Sequence, residues 1–147
     1  MTPTQPLLAL LAELYRQCAF ISALVTGFLF AFLAVILTNK STKRIDDWTA
    51  IFTIISISLL TVCALGWTFN AASVQAALLT ESQTRILSKY QTIHHHLSVL
   101  FILGFYLFLL SLGLSGWIRS KMVGIFSSVS ALFAGIYAIW LLHYFIN

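Results

Sequence analysis

Charged side chains are scarce in this sequence, and four long stretches lack them completely. The 147 residues include eight Lys and Arg and four Asp and Glu, together 8% of the chain. A helix that crosses a bilayer needs about 20 consecutive, mainly apolar residues. The four long uncharged stretches all exceed this length, so the sequence predicts four spans. They lie within Gln17 to Asn39, Trp48 to Thr80, Tyr90 to Ile118 and Met122 to Asn147.

Other shortages exclude further classes of protein. The two cysteines, Cys18 and Cys63, both lie in apolar stretches, so no disulfide framework is predicted. Strands of alternating polarity, as in membrane barrels, are also missing, and backbone amides in lipid must then pair within helices. With 60% hydrophobic residues, little remains for a soluble domain. We predict an all-α integral membrane four-helix bundle, a single domain over residues 1–147, with spans at about 8–38, 48–70, 96–118 and 122–146.

Two connections between the spans are informative. Residues Ala71 to Ile93 contain neither Pro nor Gly and are rich in Ala, Leu, Gln, Ser and Lys. We therefore expect spans two and three to extend beyond the bilayer as helices, with a turn near Thr80 to Thr84. The connection Arg119 to Lys121 is so short that spans three and four must form an antiparallel hairpin.

The basic residues are distributed over loops and helix ends. Five Lys and Arg follow spans one and three and three lie on the opposite face, which predicts that both termini are outside. They form no single basic face with interleaved aromatics, so we predict no nucleic-acid partner. The lipid bilayer is the predicted partner.

Small residues recur along two spans, where they allow the close backbone approach that drives helix association in lipid. Either set taken alone is interpreted first as ordinary packing within the bundle, and together they favour a homo-oligomer. The set in span four is Gly124, Ser128, Ala131, Gly135 and Ala138, and the set in span one is Ala23, Gly27 and Ala31, with Ala34 beyond.

Histidines are the only candidate metal ligands that form a cluster. His94, His95 and His96 begin span three, and His143 falls on the same membrane face. A pair from two helices could hold haem or a metal ion. Consecutive helical residues point about 100° apart, so the three cannot all face the bundle. A solvated helix start is the preferred interpretation, no cofactor is predicted, and haem or metal binding is a third functional hypothesis.

The centres of the spans contain no Asp, Glu, Lys or Arg. Proton relays and intramembrane catalysis rely on such residues, so a proton-coupled transporter and an enzyme are both disfavoured. The intramembrane hydroxyls usually bond back to their own helix. No histidine lies at their depth to act as a base for a nucleophilic serine. We predict that the protein is not an enzyme.

Span one contains the motif Ser22-Ala-Leu-Val-Thr-Gly-Phe28, and span three contains Gly104-Phe-Tyr-Leu-Phe-Leu109 followed by Gly116-Trp-Ile-Arg119. These motifs resemble the Orai family of calcium channels. The motif in span one is similar to the Ser-Ala-Leu-Leu-Ser-Gly-Phe of the pore-lining first Orai helix. Those in span three are similar to Gly-Thr-Phe-Leu-Phe-Leu and Gly-Trp-Val-Lys of the third Orai helix. The resemblance implies cytoplasmic termini, opposite to the charge count, and an oligomeric channel whose pore is lined by Arg16, Phe20, Leu24, Gly27, Phe28, Ala31 and Val35.

The sequence departs from this family at the outer end of the pore. Val35 stands where the family has the glutamate of its selectivity ring, and Ser111 replaces a glutamate of the third helix. Cation filters are commonly rings of Asp or Glu, so a ring of Val35 predicts a hydrophobic constriction. Asp46 and Asp47 would form an acidic outer vestibule. Two main hypotheses remain, an Orai-like channel or channel-like pore, and a small scaffold or accessory subunit of a larger membrane complex.

Overall fold

A computed structural model shows an all-helical chain. It describes the backbone of residues 5–38, 44–78 and 83–146, with side chains at 8–38, 45–77, 93–118, 120–137 and 140. Every described residue except Ser120 is helical. Over the described ranges, the prediction of an all-α chain with four helices is confirmed. The helices are α1 (Gln5–Thr38), α2 (Arg44–Leu78), α3 (Gln83–Arg119) and α4 (Lys121–Ile146).

The inner two helices are longer than the spans predicted within them. α2 continues to Leu78 and α3 already begins at Gln83, because no Pro or Gly interrupts the sequence between Ala71 and Ile93. The expectation of a turn near Thr80 to Thr84 is wrong at Gln83 and Thr84, which are helical, and residues 79–82 lie outside the described residues.

Three helices are long and apolar enough to cross a membrane. The qualifying stretches are Leu8–Thr38, Ile45–Ala77 and Ile93–Ile118. In α4, the apolar stretch within the described side chains is the shorter Lys121–Tyr137. Helices of this length and composition are those expected of a membrane-embedded protein.

The helices divide into two compact units. The first contains Met1–Gly27 and Ser58–Ile102, and the second contains Phe28–Ile57 and Leu103–Asn147. α1, α2 and α3 each contribute a segment to both units, whereas α4 belongs to the second unit alone.

The core of the first unit forms where three helical segments meet. Trp67 packs its ring against Phe101 at a centroid distance of 5.3 Å. Gly66 leaves room for Leu97, whose side chain would lie 2.5 Å from a Cβ at that glycine. The buried apolar residues recur at intervals of three or four, as one face of each helix requires. They are Leu8, Ala12, Tyr15 and Ala19 of α1, Cys63, Trp67, Ala71 and Val74 of α2, and Leu97 of α3.

The second unit contains the predicted antiparallel hairpin of α3 and α4. Gly116 and Gly124 allow the two helices to meet at the Ser120 turn, since a Cβ on Gly116 would lie 2.9 Å from the Cα of Gly124. Hydrogen bonds continue along the hairpin. They run from Ser127 Oγ to the Leu112 carbonyl (2.6 Å), from Trp117 Nε1 to Ser128 Oγ (3.0 Å) and from Tyr106 Oη to the Gly135 carbonyl (3.0 Å).

A buried hydroxyl joins α2 to α3 in the same unit. Ser56 is fully buried, and its Oγ donates a hydrogen bond of 2.7 Å to the Gly104 carbonyl. Thr49 and Thr53 are equally buried, but their hydroxyls donate to Ile45 and Thr49 within α2. Ser56 is therefore the residue of the three whose hydroxyl links two helices.

Candidate functional site

α1 has one buried face, and its polar side chains there are satisfied within the helix. Ser22 is fully buried and Thr26 nearly so. Ser22 Oγ donates to the Cys18 carbonyl (2.9 Å), and Thr26 Oγ1 donates to the Ser22 carbonyl (2.7 Å). These hydroxyls donate back to their own helix and are buried. The opposite side of α1 is the candidate site.

Six exposed residues follow one side of α1, and we call them the α1 outer face. Phe20, Phe28 and Val35 are 67%, 65% and 67% exposed, so their side chains make little contact within the chain. The Orai resemblance assigns these six residues and Arg16 to a pore. None of the six carries a charge. The α1 outer face is Phe20, Leu24, Gly27, Phe28, Ala31 and Val35.

The small residues of α1 belong to the same exposed side. Ala23, Gly27, Ala31 and Ala34 are all exposed. Apart from the neighbouring residues and backbone of its own helix, none of the described atoms lies within 4 Å of the position a Cβ on Gly27 would take. Gly27 therefore makes no close contact with another helix in the described part of the chain.

The small residues of α4 are placed differently. A Cβ on Gly124 would lie 2.6 Å from the Trp117 ring, and one on Gly135 would lie 3.3 Å from the Tyr106 ring. Ser128 and Ala131 are half-buried beside the same hairpin, whereas the side chain of Ala138 lies outside those described. The α4 set packs against α3 within one chain.

Arg16 points towards α2. Its Nη2 donates to Gln75 Oε1 at 2.6 Å, and its Nη1 lies 3.6 Å from Glu13 Oε2. Arg16 and Glu13 are both more than half exposed. A groove of about 600 Å³, the α1–α2 groove, begins at this guanidinium. It is lined by Arg16, Ala19, Phe20 and Ala23 of α1 and by Ala64, Leu65, Thr68, Ala71, Ala72 and Gln75 of α2.

Sequence reasoning missed this groove. Ala64, Ala71 and Ala72 recur on one side of α2, in the way that Ala19 and Ala23 do on α1. Two such sets could have indicated a slot between two helices. The pairing of α1 with α2 along these sides becomes visible only in the folded chain.

The two aspartates expected at an outer vestibule differ in exposure. Both lie in the first turn of α2, where the helix dipole favours negative charge. Asp47 is exposed, but both carboxylate oxygens of Asp46 are shielded from solvent and have no hydrogen-bond partner among the described residues. Asp47 alone presents its side chain to solvent in the way that a vestibule would need.

The histidine cluster lies at the surface. His94, His95 and His96 are all exposed, and the His94 ring packs against Tyr15 at a centroid distance of 5.4 Å. The side chain of His143 lies outside the described ones. Within the described residues, no three His, Cys, Asp or Glu side chains form a group that could hold a metal ion. A metal site with three such ligands is therefore not formed by the described part of the chain, and the haem hypothesis, which needs two histidines, stays a prediction.

The fold and the α1 outer face define a class: an all-helical protein, with three helices of membrane-crossing length and an exposed apolar helix face. Comparison with models of protein families, with curated proteins and with solved structures finds no match to this chain. A role for the α1 outer face must therefore be argued from its own residues and from the two short motifs in α1 and α3.

Proposed function

We propose that this protein crosses the membrane four times and assembles into a closed ring of identical subunits, with the α1 outer face of each subunit lining a narrow, mostly apolar conduit. The observation that carries the proposal is the exposure of Phe20, Phe28 and Val35 on the same side of α1 as an open glycine. The similarity of Ser22 to Phe28 to the pore helix of Orai channels supports it.

Helix lengths support the membrane arrangement. At 1.5 Å per residue, the 26 residues of α4 span about 39 Å, enough to cross a hydrocarbon core of about 30 Å. The 35 residues of α2 and the 37 of α3 span about 53 and 56 Å. In the proposed arrangement, α2 and α3 extend beyond the bilayer.

Small residues favour contact between subunits over contact with lipid. Bulky apolar residues such as Phe20 and Phe28 suit a lipid-facing helix as well as an interface. Gly27 has no side chain, and Ala23 and Ala31 on either side of it have small ones, so another helix can approach α1 closely here. A ring made by repeating one contact closes on itself and buries this face in every subunit.

The proposed conduit is hydrophobic. None of the residues of the α1 outer face carries a charge, so the constriction at Val35 would control conduction by excluding water. Asp47 is exposed in α2 and would supply negative charge near an entrance. Without a ring of acidic residues on α1, the calcium selectivity of Orai channels is not part of this proposal.

The alternative is a scaffold or accessory subunit that buries the α1 outer face against a different membrane protein. The uncharged centres of the spans favour it, because most conduits for ions place polar or charged groups in the membrane. Both hypotheses use the same surface, but they differ in how many copies of this chain assemble.

Counting subunits separates the two hypotheses. We expect the purified protein in nanodiscs to form a single ring of several copies by native mass spectrometry, and Gly27→Leu to dissociate it because the added side chain blocks close approach. Ala134→Leu is the matched control, since Ala134 is exposed on α4, outside both small-residue contacts described above. A monomeric wild-type protein would contradict the proposed ring.

Conduction is tested by adding the missing carboxylate. In proteoliposomes, Val35→Glu should increase divalent cation flux through the verified ring. Leu37→Glu is the control, because Leu37 is equally exposed but lies about 200° around the helix from Val35. Unchanged flux in an intact Val35→Glu ring would argue against a conduit and favour the scaffold.

A further inference from the structure

The walls of the α1–α2 groove are apolar and made largely of small side chains. Ala19 and Ala23 face it from α1, and Ala64 and Ala71 face it from α2. The Thr68 hydroxyl on its wall donates to the Ala64 carbonyl at 2.7 Å. Water in such a slot finds few polar partners, whereas a hydrocarbon chain regains the dispersion contacts that an unfilled groove forfeits.

One end of the groove carries a positive charge. Arg16 immediately precedes the uncharged run that starts at Gln17, so the guanidinium lies where the uncharged part of α1 begins. The hydrogen bond from Nη2 to Gln75 Oε1 holds the guanidinium beside the groove. Nη2 of Arg16 contacts Gln75, and Nη1 contacts Glu13. A guanidinium has five N–H donors in a planar arrangement that matches the geometry of a phosphate.

The groove extends from this charge into the uncharged part of both helices. Along α1, Arg16 and Ala23 are about 10 Å apart, and along α2, Gln75 and Ala64 are about 16 Å apart. A cation where the uncharged part of α1 begins, with an apolar groove that extends from it, matches an amphiphile that has an anionic head and a hydrocarbon tail. A free phosphate would leave the slot unused, and a neutral lipid would leave Arg16 unused.

We propose that the α1–α2 groove binds one anionic phospholipid per chain, with an acyl chain against the alanines and the phosphate at Arg16. Glu13 lies 3.6 Å from the guanidinium and opposes the bound phosphate, but its carboxylate is exposed and screened. This inference goes beyond the proposed conduit and does not require the ring, because the groove is formed within one chain.

The experiment is a lipid titration of the full-length protein in detergent, followed by native mass spectrometry. We expect one phosphatidylglycerol to be retained per chain in preference to phosphatidylcholine. Arg16→Gln should weaken its retention about tenfold, as the loss of a charge-assisted hydrogen bond does. Glu13→Gln should strengthen it. Lys121→Gln is the control, since Lys121 is an exposed cation away from the groove.

A second variant tests the acyl slot. Ala72 is exposed and lines the groove on α2, so Ala72→Leu should reduce retention of the lipid while circular dichroism shows unchanged helix content. Ala134→Leu adds similar bulk elsewhere and should have no effect. Because Ala72 is not on the α1 outer face, the subunit count of this variant reports on the ring independently.

Three results would overturn the lipid site. The first is equal retention of phosphatidylglycerol by the Arg16→Gln and Lys121→Gln proteins. The second is unchanged retention by a folded Ala72→Leu protein. The third is displacement of the lipid by inorganic phosphate at equal concentration, which would reduce the site to a surface anion contact without a chain slot.

Discussion

Gly116→Ala should open the α3–α4 hairpin, because a methyl group has no room at this position. An ideal Cβ on Gly116 would lie 2.6 Å from the Ser127 Cβ, 2.7 Å from the Val123 carbonyl oxygen and 2.9 Å from the Gly124 Cα. Carbon atoms in contact are normally about 3.5–4.0 Å apart. The variant therefore requires α4 to move away from α3 by about 1 Å at this point.

The loss of stability caused by Gly116→Ala depends on whether the overlapping atoms can move apart. Two of the three nearest atoms belong to the backbone of α4, so a change of rotamer cannot relieve the overlap. Overpacking of this kind costs about 1–3 kcal/mol, and replacing Gly by Ala inside a helix returns about 0.5–1 kcal/mol. We expect a net loss of about 1–2 kcal/mol in the free energy of unfolding.

Gly113→Ala is the matched control on the same helix. A Cβ at Gly113 would have its nearest neighbours, Ala131 Cβ and Ser128 Cα, at 3.7 Å, which is ordinary van der Waals distance. The substitution is chemically identical and faces the same partner helix, but creates no overlap. We expect it to leave stability unchanged or to raise it by up to about 1 kcal/mol.

The assay is reversible unfolding of both variants in detergent micelles, followed by far-ultraviolet circular dichroism and tryptophan fluorescence. The difference between the variants matters more than either value, since detergent affects both alike. If Gly116→Ala is as stable as Gly113→Ala, the two helices do not approach as closely at Gly116 as the structure shows, and the reasoning is refuted.

Two further predictions concern buried groups. Ser56→Ala removes the hydrogen bond to the Gly104 carbonyl and should destabilise the protein by about 0.6 kcal/mol, an average for hydrogen bonds between membrane helices. Thr53→Val should destabilise it less, because the Thr53 hydroxyl bonds within α2. Equal losses of stability in the same unfolding assay would count against an interhelical role of Ser56. Cys63 is fully buried and Cys18 is partly buried, so a membrane-permeant maleimide should label Cys18 of the native protein faster than Cys63. Peptide mass spectrometry measures the two labelling rates. Rapid labelling of Cys63 before denaturation would show that the core of the first unit is open to the reagent.

Some features could be predicted because they are properties of a continuous stretch of chain. Four long uncharged, mainly apolar runs are sufficient to predict four helices, and the short connection around Ser120 is sufficient to predict the α3–α4 hairpin. The helical extensions of spans two and three were predictable for the same reason, because the stretch between Ala71 and Ile93 lacks Pro and Gly. The exact helix end was less predictable, since Gln83 and Thr84 are helical although the turn was expected to reach Thr84.

The placement of side chains was harder to predict. The resemblance assigns Arg16 to a pore, and no pattern in the sequence indicates that its guanidinium contacts Gln75 of α2, a residue 59 positions away in the chain. Asp46 and Asp47 are neighbours with the same chemistry, but Asp46 has its carboxylate oxygens shielded while Asp47 is exposed. Such differences depend on which helix lies alongside, and no local pattern encodes that.

The sequence by itself determined that this protein is a set of long apolar helices, because too few charges are present to allow anything else. The tertiary structure decided which side of each helix is used inside the chain. The small residues of α4 pack against α3, whereas Gly27 on α1 remains open. The physical reason is that a helix suited to lipid is apolar on every side, so hydrophobic periodicity no longer distinguishes the inner from the outer face. Only the contacts between helices make that distinction.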